Sequence, residues 1–240
     1  MPVLPHFPPS LLREEALLWE LKGVTVGGGE SAGGQEALTR LDGGGLWKAS
    51  LNGVALRTAD HVRAWRALAA ICDGGVQPVV VPMCDGRHIP APEVNGVRVA
   101  SLDVVPHSDG ATFSDGSGYA SSVVEASLAV AAVLRATSLT VTLTAGSALR
   151  GGEYFSIDHA DLRWRLYRVR TAVDNGDGTF AVTIRPPLRA AVTAGSVLEF
   201  DRPKCVMRIA SADAMDLMLE QRRRGRPSVS FVEAFPPFPE

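Results

Sequence analysis

The feature that most restricts this chain is a ladder of short strand-like runs in its second half. Ser138-Leu139-Thr140-Val141-Thr142-Leu143 alternates apolar and polar residues strictly. Further β-rich runs follow at Tyr154 to Ile157, Arg165 to Thr171, Thr179 to Arg185 and Val197 to Phe200. Many short strands at intervals of about ten residues predict a small barrel or sandwich. Asp174-Asn175-Gly176-Asp177-Gly178 makes a tight connection between two of them, and Pro186-Pro187, lacking a backbone donor, stops another. The apolar run Val123 to Leu134 fits strand and helix equally by its period.

The first part of the chain reads as a small sheet with one helix laid on it. Leu21 to Val26, Leu46 to Leu51 and Val54 to Arg57 are β-like, punctuated by glycine clusters at 27–29, 33–34 and 43–45. Asn52-Gly53 predicts a type I′ hairpin between the last two runs, a turn in which both central residues take φ > 0. The spacing of Val62, Trp65, Leu68, Ala69 and Cys72 predicts a helix over 59–73, capped by Thr58 and ended by Gly74-Gly75. Val76 to Pro82, bounded by prolines, predicts a strand. In Leu11 to Leu21 the apolar residues are too clustered to choose between helix and strand. Residues 84–121, rich in Gly, Ser, Asp and Pro, read as a boundary with a β-like island at Val97 to Val105 and an exposed loop over 106–121. From Cys205 the early pattern returns, with strands at Val206 to Ile209 and Ser228 to Val232. Between them Met215, Leu217 and Leu219 alternate with Asp216, Met218 and Glu220 as in a strand; a helix over 212–223 is the competing reading.

Composition serves mainly to exclude. With 46% hydrophobic and 21% charged residues the chain lies in the folded regime. Its 24 Lys and Arg against 26 Asp and Glu leave no chain-wide basic field for nucleic acid. The longest apolar stretches, Val76 to Met83 and Ala126 to Leu134, fall far short of the roughly 20 residues that span a bilayer. Met1 to Pro9 has neither a basic start nor an apolar run, so the sequence predicts a soluble chain with no secretion signal. Cys72, Cys84 and Cys205, odd in number and widely spaced, predict reduced packing residues instead of a disulfide framework.

Gly29-Glu30-Ser31-Ala32-Gly33 matches the G-x-S-x-G turn that presents the nucleophilic serine of α/β-hydrolases. That fold needs several βα units before the serine, one of which supplies an oxyanion donor, and only 30 residues precede Ser31. Gln35 to Leu41 is also too short for the helix that follows such a serine. A glycine-rich β-turn with no catalytic role is the reading adopted, and no enzyme activity is expected. His107-Ser108-Asp109 places triad residue types side by side, whereas working triads converge from distant segments. Asp158, His159 and Asp161 lack a second ligand cluster, and the 174–178 turn lacks the twelve-residue spacing and closing Glu of a calcium loop. Neither a metal nor a cofactor is expected. Arg222, Arg223, Arg224 and Arg226 form the only basic run, with no interleaved aromatics to stack bases. It reads as a solvated turn, or as an arginine cluster that pairs with acidic groups on a neighbouring subunit.

Several spaced segments together resemble one family. Gly151-Gly152-Glu153-Tyr154-Phe155-Ser156-Ile157, Leu166-Tyr167-Arg168-Val169, Pro186-Pro187-Leu188-Arg189 and Pro203 to Arg208 are similar to the distal tail proteins of long-tailed bacteriophages and phage-like gene transfer particles. Gly27 to Gln35, Gly45-Leu46-Trp47, Trp65-Arg66-Ala67-Leu68 and the closing Ser230-Phe231-Val232-Glu233-Ala234-Phe235 resemble the same family, so the likeness spans most of the chain. The resemblance implies a mainly β fold: an N-terminal β-sandwich with one helix, formed by residues 1–96 and 206–240, and an inserted small β-barrel domain over 97–205. It also implies a structural role as a homo-hexameric ring in the virion tail, joining the tail tube protein to the tail tip hub, with the tape-measure protein as a further partner. No sharp motif marks the tube-binding surface. The alternative is a carbohydrate-binding module using Tyr154, Trp164 and Tyr167 as sugar platforms. The period-two neighbours of these aromatics favour core positions for them.

Overall fold

The computed structural model describes residues 4–23, 25–41, 43–85, 89–91, 93–94, 97–98, 111, 114, 123–221 and 223–238. Residues 99–105 of the expected β island lie outside the described residues, as does the 106–121 loop apart from Ala111 and Ser114. The chain begins with β1 (Ala16–Lys22), β2 (Thr25–Glu30), β3 (Glu36–Arg40), β4 (Leu46–Asn52), α1 (Ala59–Cys72) and β5 (Val79–Pro82). Two short strands follow, β6 (Glu93–Val94) and β7 (Val97–Arg98), then β8 (Glu125–Leu128), β9 (Ser138–Ala145), β10 (Tyr154–His159), β11 (Arg163–Asp174), β12 (Thr179–Arg185) and β13 (Val197–Leu198). β14 (Lys204–Ile209) and β15 (Val229–Glu233) close the order.

β1, β4, β15, β14 and β5 form a five-stranded antiparallel sheet in that order. Alternation decides which face is buried. Trp47, Ala49 and Leu51 of β4 point inward, and the register sets Ala49 opposite Phe231 and Leu51 opposite Val229. Val62, Trp65, Leu68 and Cys72, one stripe of α1, cover that face. Thr58 Oγ1 caps the helix by accepting from His61 N–H at 3.3 Å. The helix stops one residue earlier than the spacing predicts, because Asp73 takes the left-handed conformation (φ 42°) ahead of Gly74 and Gly75. Val79-Val80-Val81 and Cys205-Val206-Met207 are continuously apolar because β5, at the sheet's edge, and its neighbour β14 are covered on both faces. Val79, Val81, Cys205 and Met207 face α1, while Val80 and Val206 pack with Leu4 and Ala234 behind the sheet.

The other large sheet runs β10, β11, β12, β9, β8, β13. Its ends meet where Ser156 and Glu199 exchange two backbone hydrogen bonds of 2.9 Å, which nearly closes it into a barrel. Phe155, Ile157, Tyr167, Val169, Val182, Ile184 and Phe200 fill the interior. The 174–178 connection is a hairpin turn. Asp174 Oδ1 accepts from Gly176 N–H, and Asp177 Oδ1 accepts from both the N–H and the hydroxyl of Thr179. Asp201 Oδ2 and Oδ1 accept from Val123 and Val124 N–H at 2.7 and 3.0 Å, so the entering and leaving strands of the barrel are tied at one end. Ambiguous Val123 to Leu134 is thereby resolved into β8 and turns, and Leu11 to Leu21 into a turn followed by β1.

Two expectations fail. Asn52-Gly53 makes no type I′ hairpin: Gly53 has φ 67°, but Asn52 does not share it. Val54 and Leu56 instead donate to the carbonyls of Pro227 and Gly225, so the 54–56 run joins a distant segment and does not fold back on β4. Among the described residues of 212–223 there is neither strand nor helix. Turns at 212–215 lead into an irregular stretch, in which Met215 is buried and its carbonyl accepts from Trp65 Nε1 at 2.9 Å. Ala214, Met215, Leu217 and Leu219 pack on the core that α1 covers while Met218 is exposed, and irregular chain needs no regular period to do this.

Phe231 is fully buried, opposite Ala49 and edge-on to Phe7 at 6.0 Å. Phe231→Ala should therefore lower stability by about 3–5 kcal/mol, read as a lower urea midpoint with an unchanged slope.

Candidate functional site

Three charged side chains converge where sheet and barrel meet. β11 serves both cores, since Leu166 points into the sheet's core and Tyr167 into the barrel's. Trp47 Nε1 reaches across to the Leu166 carbonyl at 2.7 Å. Beside this seam stand Glu233 at the end of β15, Arg165 on β11 and Arg189 after β12. The side chains of Glu233 and Arg165 are wholly enclosed, and Arg189 is 10% exposed.

Charges buried this deeply persist only when paired and hydrogen-bonded. Glu233 Oε2 accepts from Arg189 Nη2 at 2.9 Å and from Trp47 N–H at 3.2 Å, and Arg165 Nη1 lies 3.5 Å from Oε1. One carboxylate cannot balance two guanidinium groups, so backbone carbonyls take up other donors. Arg165 donates to Ala234 O at 2.6 Å and to Leu162 O through Nε and Nη2 at 3.0 and 2.5 Å. Arg189 donates to Gly43 O and Gly45 O at 2.6 Å each. The Phe235 ring faces both groups, 4.3 Å from the Arg165 and 5.4 Å from the Arg189 guanidinium carbon. The 43–45 loop reaches Arg189 by lying against Pro186 and Pro187. Gly44, at φ 70°, has no room for a Cβ there, because one would collide with Pro187 Cδ.

His159 extends the network. Its Nε2 lies 2.8 Å from Tyr167 Oη, which accepts from Arg189 N–H at 3.0 Å. Burial, reinforced by the Arg165 charge, lowers the His159 pKa to about 4, so the ring is neutral near pH 7. Burial likewise raises the Tyr167 phenol. The whole arrangement fastens β15, β11, the loop before β4 and the segment after β12 to one another. The charged groups are held by the chain itself and face inward.

The residues singled out from sequence are scattered. Tyr167 is fully buried in the barrel and offers no face to a sugar. Trp164 is half-buried behind the sheet under Lys204, whose Nζ lies 4.0 Å from its ring. Tyr154 packs on Trp47 at 5.8 Å with Arg168 over it. The three therefore form no common platform. Asp158 and Asp161 are exposed while the alternation of β10 turns His159 inward, so these three do not converge on a metal. Ser31 sits in the exposed connection between β2 and β3, its N–H donating to Gln35 O at 2.8 Å and its hydroxyl accepting from Gln35 N–H at 3.3 Å. His107, Ser108, Asp109 and Arg222 lie outside the described residues. Arg223 and Arg224 are exposed in a tight turn after Gln221, and Arg226 pairs with Glu15 at 2.9 Å. Cys72, Cys84 and Cys205 are free, the first and last in the sheet's core. Among the described residues no helix is long and apolar enough to cross a membrane.

Sequence reasoning missed Glu233, Arg165 and Arg189 as a group. The available signal was a charge at an inward strand position, Arg165 between Trp164 and Leu166 and Glu233 between Val232 and Ala234. Among models of known families none matches the chain, and no curated protein matches it.

Glu233→Gln would leave two buried guanidinium groups without a countercharge. The expected cost is about 3–5 kcal/mol in urea unfolding. The pH dependence has a definite sign: the unfolded His159 binds a proton below pH 6.5, and the folded one only near 4. Stability should be complete above pH 6.5 and fall as pH drops toward 4, this residue contributing at most about 1.4 kcal/mol per pH unit. His159→Gln should make the wild-type-minus-variant difference flat below pH 4 and above pH 6.5, sloping only between them.

Proposed function

We propose that this chain is a structural virion component, the subunit of a hexameric distal tail ring that links the tail tube to the tail tip hub. In this reading residues 1–96 and 206–240 make the ring-forming β-sandwich domain with α1, and 97–205 make the inserted barrel domain that projects from it. Its partners are further copies of itself, the tail tube protein, the hub and the tape-measure protein. It assembles in the host cytoplasm and resides in the virion tail.

One observation carries the proposal. β2 and β3 form a two-stranded arm on which every described side chain is exposed, including Val26 at 51% and Leu38 at 64%. A lone hairpin is marginal in water and gains its stability by packing on something else. A neighbouring subunit supplies that surface in a ring. Edge management agrees with this: the outer edge of β5 is covered by a bridge between His6 and Val80, whereas among the described residues no strand pairs with the outer edge of β1. Tyr154 is the one observation favouring the carbohydrate reading, because it lines a concavity of about 500 Å³ with Gly152, Arg168 and Arg185.

Light scattering behind size exclusion and negative-stain imaging should find a hexamer, or a ring on tail-tube protein. Replacing residues 27–38 by Asn-Gly should leave the circular dichroism spectrum of a folded β protein and give monomers. A wild-type chain that stays monomeric with and without tube protein would overturn the proposal; a monomer that binds arrayed glycans and loses them on Tyr154→Ala would put the second reading in its place.

A further inference from the structure

The arm carries charge as well as apolar surface. Glu30 and Glu36 stand directly opposite each other in the β2–β3 register, next to the Ser31 turn, and both are exposed. Two carboxylates facing each other across a strand pair repel, so within one chain the arrangement is unfavourable. Neither makes an ion pair among the described residues.

The complementary arrangement lies elsewhere on the molecule. The turn at 220–224 is held by Glu220 N–H to Arg224 O at 2.7 Å and Arg224 N–H to Glu220 O at 3.2 Å, and Gly225 bridges back to Leu56. This brings Arg224 and Arg226 to the same concavity as Arg57, and with Ala55, Glu220 and Gly225 they line a cavity of about 490 Å³. Glu15 engages Arg226 outside it, and Glu220 is the cavity's own carboxylate. Arg57 and Arg224 remain with no ion pair and no side-chain hydrogen bond among the described residues. Two unpaired guanidinium groups in one concavity match two unpaired carboxylates held side by side, and each strand of the arm, at about 3.3 Å per residue, gives it a reach near 20 Å.

We infer that the arm of one copy docks on a second copy of this chain, with Glu30 and Glu36 entering the Arg57–Arg224–Arg226 cavity. The contact is heterologous, and repetition of it builds a ring when the rotation between neighbours closes. The inference rests on the assembly reading above and adds which surfaces meet.

Charge reversal tests it on the full chain, with sedimentation velocity as the readout. E30K/E36K and R57E/R224E, all at exposed positions, should each keep the wild-type melting profile and weaken self-association at least tenfold. An equimolar mixture of the two variants should recover association that neither shows alone, and raising the salt should weaken the wild-type assembly. A wild-type assembly that both variants reproduce unchanged overturns this pairing and leaves the ring proposal standing. A monomeric wild type overturns both. If R57E/R224E abolishes binding of a duplex oligonucleotide while its assembly is unaltered, the cavity serves a polyanion and the pairing is again overturned.

Discussion

Glu233 sits where four separate stretches of chain have to agree. Its carboxylate accepts from Arg189 after β12 and from the backbone of β4, and it faces Arg165 on β11, while its own strand β15 lies in the middle of the sheet. Burying two guanidinium groups around one carboxylate is unfavourable unless the surplus donors are satisfied. The carbonyls of Leu162, Ala234, Gly43 and Gly45 take up most of them, leaving Arg189 Nε without a partner among the described residues, and they can do so only when the loops stand in one arrangement. The cluster thus acts less as a source of net stability than as a registration device, since a sheet and barrel docked differently would strand charges in a dry interior.

The rigidity this gives has a functional side under the proposed assembly role. A ring subunit must present its contacts at fixed angles, because six small errors add up around a closed circle. β11, whose side chains enter two cores in alternation, leaves no hinge between sheet and barrel at that seam. The parts that stand free are at the periphery: the β2–β3 arm, the edge of β1 and the arginine turn.

How much of this was legible in the sequence follows from the range of the interactions. The strands from β9 to β12 were legible because alternation is local, and α1 because its stripe and its Thr58 cap lie within fifteen residues. The 54–56 run and the irregular stretch from 212 to 221 were misread because their partners are far away. Val54 and Leu56 bond to Pro227 and Gly225, and Met215 answers to Trp65. Of the candidate site, the arginine turn was visible as composition, but its concavity was not, since Arg57 joins it only through the Leu56–Gly225 bridge. Arg165, Arg189 and Glu233 each looked like an ordinary strand or turn residue, because pairing between charges tens of residues apart leaves no periodic trace.

The clamp of Asp201 on Val123 and Val124 brings the two ends of the barrel together, which is the usual condition for one module to be exchanged for another in the course of descent. Here that freedom is restricted. The barrel lends the sheet Leu166, a carbonyl for Trp47, and both arginines around Glu233. A foreign barrel spliced in at the same ends would bring none of these, and would leave an acid buried at the centre of the sheet with nothing to neutralise it. Exchanging this barrel for another therefore calls for a change at residue 233 in the same step, or for a barrel that already carries two arginines at the seam.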